Sequence, residues 1–219
     1  MKLTVRGGRD VHGAGKGTVR LDSIRGGLSL RLAGRTLPTC DHFGALDLNA
    51  ASSGVGRTIA GILGHEFFER YVVKIDFTAH ELTLYDPVKY RYTGNGDTLA
   101  LEFARQLPYV NVRIRTARRP EITRRLLVDT GSDDFVDDQS VRRSANGPTI
   151  TVSTTGLGKS YEAVIGTLDT VWIGKSMFTK VPGVAADIGL VGNGIWSRFI
   201  CVFDYSRRRL FVERVPVAE

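Results

Sequence analysis

The stretch "RRLLVDTGSDDFVDD", residues 124–138, sets a short apolar run directly ahead of a cluster of acids. Leu126, Leu127 and Val128 read as a short buried strand, and Asp129, Thr130 and Gly131 as the turn that ends it. Alone, that triplet is also an ordinary strand-end turn, since Asp and Gly both favour turns. The acids that follow, Asp133, Asp134, Asp137 and Asp138, lack the loop Gly and closing Glu of a calcium loop. They are expected to form a solvated acidic turn, with no metal. A carboxylate delivered by a strand into a Gly-bearing turn usually works with a partner, and none lies next to this one.

The flanking sequence is dominated by strand signals. "YVVKIDF", "ELTLYD", "FICVFDY" and "RLFVERV" are β-branched and aromatic runs split by short polar turns. Helical periodicity is confined to pieces such as "HEFFERY". Laid on itself, the chain repeats. "GILGHEFFERYVVKIDFTAHEL" from Gly61 matches "GLVGNGIWSRFICVFDYSRRRL" from Gly189, an offset of 128. Gly61, Gly64, Arg70, Asp76 and Leu82 pair with Gly189, Gly192, Arg198, Asp204 and Leu210. Upstream, "LDSIRGG" from Leu21 matches "LDTVWIG" from Leu168 at an offset of 147, so the first copy carries an insertion near "TCDHFGALDLNAASSGVGR". The expected organisation is a partial first lobe over 1–90, a linker over 91–98 broken by Gly94 and Gly96, and a complete second lobe over 99–219.

With 219 residues, 42% apolar and 24% charged, the chain can bury a substantial core. No apolar run approaches the roughly 20 residues that span a bilayer. The net charge of +7 comes from scattered pairs, Arg118-Arg119, Arg124-Arg125 and Arg142-Arg143, and the triplet Arg207-Arg208-Arg209. No aromatic residues alternate with them in sequence, so a solvated surface is expected and nucleic acid is not. Cys40 and Cys201 offer neither a disulfide framework nor metal spacing, and Cys201 reads as a buried free thiol.

Three elements together resemble the aspartic protease superfamily, and most closely the bacterial retropepsin-like aspartyl proteases. "LLVDTGSDD" resembles the catalytic Asp-Thr/Ser-Gly loop, in a form close to the retroviral one. "ILG" (Ile62–Gly64) and "LVG" (Leu190–Gly192) resemble the hydrophobic-hydrophobic-Gly element that packs behind it. "STTGLGKSYE" lies where such proteases carry a Gly-rich flap. The resemblance implies an all-β, bilobal, acid-protease-like β-barrel fold built from two repeats, with an incomplete first lobe. It implies an aspartic endopeptidase that needs no cofactor and acts on peptide or protein substrates. Asp129, Thr130 and Gly131 would be catalytic; Ser132, Asp133, Asp134, Gly156 and Gly158 would bind substrate.

The partner carboxylate should be the first-lobe counterpart of Asp129. The two offsets place it at position 1, which is Met, or before the sequence starts. The nearest look-alike, Asp22-Ser23-Ile24, lacks the Gly and pairs with Asp169-Thr170-Val171. The first lobe is therefore expected to lack its catalytic loop. That leaves two other readings: a non-catalytic peptide-binding pseudoprotease, or an N-terminally truncated form of a two-motif enzyme. If active, the chain should form a homodimer with one Asp129 from each subunit; the remaining first lobe argues against that, so the isolated chain is expected to be a monomer with negligible peptidase activity. The opening "MKLTVRGGRDVHGAGKG" has no apolar h-region, and a periplasmic or secreted location is expected only of a truncated form.

Other motifs take plainer readings. "TTGLGKSY" imitates a phosphate-binding loop, but Ser153 stands where its first Gly should be. His12, His42, His65 and His80 show no metal spacing and read as surface or hinge residues. Ser132 lacks a nucleophile-elbow context. Asp76 and Asp204 recur in equivalent hairpins as structural residues, and Trp172 and Trp196 as core or cleft-wall aromatics.

Overall fold

Residues 4–11, 18–32, 34–37, 40–116, 119–143, 150–154 and 161–215 are described by the computed structural model. Nearly all its regular structure is β. The chain divides into two units, Met1–Ile62 with Ser153–Glu162, and Leu63–Val152 with Ala163–Glu219.

In the first unit, β1 (Thr4–Val11), β2 (Val19–Leu28) and β5 (Cys40–Ala45) form an antiparallel sheet with β2 central. Two short strands, β3 (Arg31–Leu32) and β4 (Arg35–Thr36), pair within the β2–β5 connection. Helix α1 (Asn49–Val55) follows and ends on Gly56, whose φ of 69° is a left-handed cap that Gly adopts without strain. The segment read as an insertion, residues 39–57, contains β5 and α1.

The second unit opens with α2 (His65–Arg70), then β6 (Val72–Asp76) and β7 (Glu81–Tyr85). Strands β8 (Asp97–Ala100), β9 (Glu102–Ala104), β10 (Leu107–Arg115), β11 (Ile122–Val128) and β12 (Val136–Asp137) come next. A 3-10 turn (Gln139–Arg143), β13 (Ile150–Thr154), β14 (Tyr161–Ile173), β15 (Ser176–Val184), β16 (Leu190–Val191) and α3 (Asn193–Trp196) follow, the end of β13 and the start of β14 falling in the first unit. The hairpin β17 (Phe199–Asp204) and β18 (Arg209–Arg214) completes the unit.

Strands β14, β15, β12, β16, β11 and β10 pair in that order, and β10 pairs back onto β14, closing a six-stranded barrel. Closure leaves no free edge among these strands. Alternation decides which side chains enter it. In β10, Val110, Val112 and Ile114 are buried, whereas Asn111, Arg113 and Arg115 face out. Leu126 and Val128 of β11 and Leu168, Val171 and Ile173 of β14 complete the same core.

A second sheet has the order β7–β6–β17–β18–β8. One face, with Val73, Cys201, Phe203, Leu210 and Val212, joins the barrel core; the other clusters Val72, Val202 and Phe211 with Tyr85, Tyr90 and Tyr92. Burial on both faces explains why "FICVFD" is almost continuously apolar. The hairpin β6–β7, expected with the first lobe, thus belongs to the second compact unit, because β6 pairs antiparallel with β17.

That pairing has a notable register. Lys74 lies opposite Val202, the residue 128 positions on, and Ile75–Cys201 and Val73–Phe203 flank them. The same offset relates local details. Gly64 and Gly192 precede α2 and α3 with φ of −102° and −103°. Asp76 accepts from the Ala79 amide at 2.9 Å and Asp204 from the Arg207 amide at 3.1 Å. His80 and Arg208, the next residues, both adopt left-handed φ, 56° and 53°. Asp76 and Asp204 cap their turns, which gives the structural role expected of them its form.

Candidate active site

The site is built by a crossing of strands. β16 runs parallel to β11, with Leu127 opposite Leu190 and Val128 opposite Val191, and antiparallel to β12. It therefore lies between the two strands that flank residues 129–135, and this loop must arch over the end of β16. The Asp129 amide donates to Val191 O at 3.0 Å, so β11 carries its pairing up to the carboxylate residue. Asp129 Oδ1 then accepts from the Gly131 amide at 2.8 Å and turns the chain.

The far side of the loop is tied to the start of α3. The Asn193 amide donates to Ser132 O at 2.7 Å, and Asn193 Nδ2 donates to Thr130 O at 2.9 Å. The amides of Gly192 and Gly194 donate to Phe135 O and Asp134 O at 3.1 and 3.0 Å. Gly192 is needed for this closeness, because a Cβ there would overlap Asp134 O and come within 2.9 Å of Ser132 O. "LVG" is thus buried behind the loop, as expected. Its counterpart is not: Ile62 is 62% and Leu63 38% exposed, and residues 56–64 form no strand.

The predicted site residues divide clearly. Asp129, Thr130 and Ser132 are partly buried, while Gly131, Asp133 and Asp134 are exposed. Thr130 is held by its carbonyl; its hydroxyl makes no hydrogen bond among the described residues. Ser132 Oγ donates to Asp134 Oδ2 and accepts from the Asp134 amide, both at 3.1 Å. Gly156 and Gly158, with the rest of 155–160 and most of the phosphate-loop look-alike, lie outside the described residues.

The solvated acidic turn needs correction at two positions. Asp137 is only 3% exposed and Asp138 only 7%. The cause is β12, a two-residue strand that wedges between β15 and β16 and carries both acids inside. Burial, then the nearby charge of Asp134, and lastly that of Asp129, push the Asp137 carboxyl up to about 8; the Val184 amide pulls the other way. Its Oδ1 has no hydrogen-bond partner among the described residues. Asp138 is satisfied differently, by Arg124 at 3.4 Å and by the Ser140 amide at 2.7 Å.

Sequence reasoning missed Asn193, which holds the loop, although its position just after the hydrophobic-hydrophobic-Gly element was the available signal. At its counterpart stands His65, read as a surface or hinge residue. Its ring instead packs against Phe103 and Tyr205, with Nδ1 buried and unpartnered among the described residues. Trp196 is core, its Nε1 donating to Val191 O at 2.6 Å. Trp172 is not core; it lies part-exposed on the outside of the barrel, with Arg113 and Arg115 over its ring. In space, aromatic rings do meet the basic pairs, as Arg125 over Tyr109 at 3.9 Å shows.

Among solved structures, the chain is similar to a retropepsin-like aspartic protease from Rickettsia conorii. Identity is 20% and the TM-score 0.40, over 56% of this chain and 95% of that one. No protein-family model and no curated protein matches the chain. The closed barrel and the crossing loop stand on this chain's own hydrogen bonds. Among the described residues there is no group of three or more His, Cys, Asp or Glu suited to a metal ion. No helix there is long and apolar enough to cross a membrane.

Proposed function

We propose that the chain is an aspartic-type endopeptidase component in which Asp129 is the catalytic carboxylate. The observation that carries this is the loop itself: β11 delivers a part-exposed Asp129 into a turn braced from behind by Gly192 and Asn193. Such bracing holds a carboxylate in one place, which proton transfer to or from a bound water requires. Thr130 and Gly131 shape the turn. Ser132, Asp133 and Asp134 form the rim that would meet a peptide backbone; Gly156 and Gly158, outside the described residues, are further candidates for substrate binding.

Peptide hydrolysis of this kind takes two carboxylates. At about 3 Å apart they share one proton, so one accepts a proton from water while the other polarises the scissile carbonyl. Asp137 does not supply the second, since it is sealed from solvent. The mirror-like register about Lys74 and Val202, and the matched caps at Asp76 and Asp204, support descent from two repeats, with lobes at 1–90 and 99–219. A homodimer would supply a second Asp129.

The exposed Ile62–Gly64 favours a second reading, a peptide-binding protein without catalysis, because among the described residues the first copy of the bracing element holds no loop. A peptide-library assay at acidic pH separates the two. On the first reading, the wild type cleaves and the folded Asp129→Asn variant is at background. Undiminished cleavage by Asp129→Asn assigns the activity elsewhere, and peptide binding without cleavage by either favours the second reading.

A further inference from the structure

The barrel has another polar opening, toward the opposite end of β11 from Asp129. Thr116, Arg119, Pro120, Ile122, Arg124 and Ser140 line a cavity of about 220 Å³. At about 30 Å³ per water, it has room for several waters or a small organic molecule. Arg124 precedes Asp129 by five residues, roughly 16 Å along an extended strand, so an occupant here would not reach the Asp129 loop.

Arg124 occupies the inward row of β11, two residues before buried Leu126. A cation on the inward row of a barrel is uncommon and needs an anion. Asp138 provides one, 3.4 Å from Arg124 Nε. The match is incomplete, however: that Nε is shielded from solvent and makes no hydrogen bond among the described residues. Asp138 Oδ1 also accepts from both the amide and the hydroxyl of Ser140. Arg119, also in the lining, is exposed and has no ion pair or side-chain hydrogen bond among the described residues. Among the described residues, the cavity lining thus holds two arginines and no carboxylate, the one nearby acid being Asp138 behind Arg124, and Pro120 and Ile122 are its apolar residues.

We propose that this barrel-mouth cavity binds a small organic oxyanion, its phosphate or carboxylate head held by Arg119 and Arg124 and its apolar part lying on Pro120 and Ile122. Guanidinium forks match both head groups, and barrel mouths are recurrent ligand sites. The site is independent of the peptidase reading, so either can fail alone.

The test is an amide NMR titration of the full chain at constant ionic strength and neutral pH. The probes are phenyl phosphate, benzoate and, as an uncharged control, benzyl alcohol. Saturable shifts at Thr116 and Ser140 with phenyl phosphate or benzoate, but not benzyl alcohol, are expected. The tighter of the two identifies the head group. In Arg119→Gln, which removes no ion pair or side-chain hydrogen bond among the described residues, binding weakens at least tenfold. The proposal is overturned if neither anion saturates, if sodium chloride alone reproduces the shifts, or if Arg119→Gln binds as tightly as the wild type.

Discussion

The buried carboxyl of Asp137 makes stability fall as pH rises. Its pKa climbs from 3.8 to about 8 on folding, driven first by burial and then by the charge of Asp134. Between those two values the native chain holds a proton that the unfolded chain has released. Stability therefore declines through that window, and the loss from this group is absent below 3.8, where both states are protonated. Each pKa unit corresponds to about 1.4 kcal/mol, so raising the pH from about 5 to about 8 removes up to about 4 kcal/mol. That is a large share of the 5–15 kcal/mol typical of a folded domain, roughly speaking. Asp137→Asn keeps the shape of the protonated form and cannot ionise. Urea unfolding of both proteins at several pH values isolates the residue, because every other titrating group is common to the two. The variant should gain on the wild type steadily as pH rises, by a few kcal/mol at about pH 8. Parallel stability–pH profiles for the two proteins would refute the reasoning.

Asn193→Ala removes the side-chain donor to Thr130 O and should cost about 1–3 kcal/mol in the same unfolding assay, with the amide signals of 130–132 shifted most. Gly192→Ala forces a methyl group against Asp134 O and Ser132 O, and should destabilise by about 1–3 kcal/mol; wild-type stability would contradict the close crossing. Cys201 is buried and its thiol is pushed well above its ordinary range by that burial, so a thiol reagent should label it only after denaturation.

The elements that were legible in sequence are those whose pattern is local. "FICVFDY" and "RLFVERV" carry their own strand signal, and the Asp-Thr-Gly turn announces itself through residue chemistry. The spacing of "LVG" from that turn also proved informative, since Leu190 and Val191 do lie behind it. What stayed hidden depends on distant neighbours. β12 is two residues long, too short for any periodicity, and only β15 and β16 on either side bury Asp137 and Asp138. Arg113 meets Trp172 across a strand pair, 59 positions apart in the chain, which no linear reading of charge and aromatics detects. The exposure of Ile62 was equally invisible, because the same motif is buried at Leu190. A motif reports what a segment can pack against, and the fold decides whether that partner is there.

Paired-carboxylate hydrolysis through Asp129 is tested most directly by specific peptidase activity measured against chain concentration, with sedimentation on the same samples. The account predicts background cleavage wherever the chain sediments as a monomer, and background from Asp129→Asn at every concentration. Wild-type activity should appear only with a dimer and fall on dilution. Cleavage by the monomer that is unchanged on dilution, or cleavage by Asp129→Asn, would contradict it.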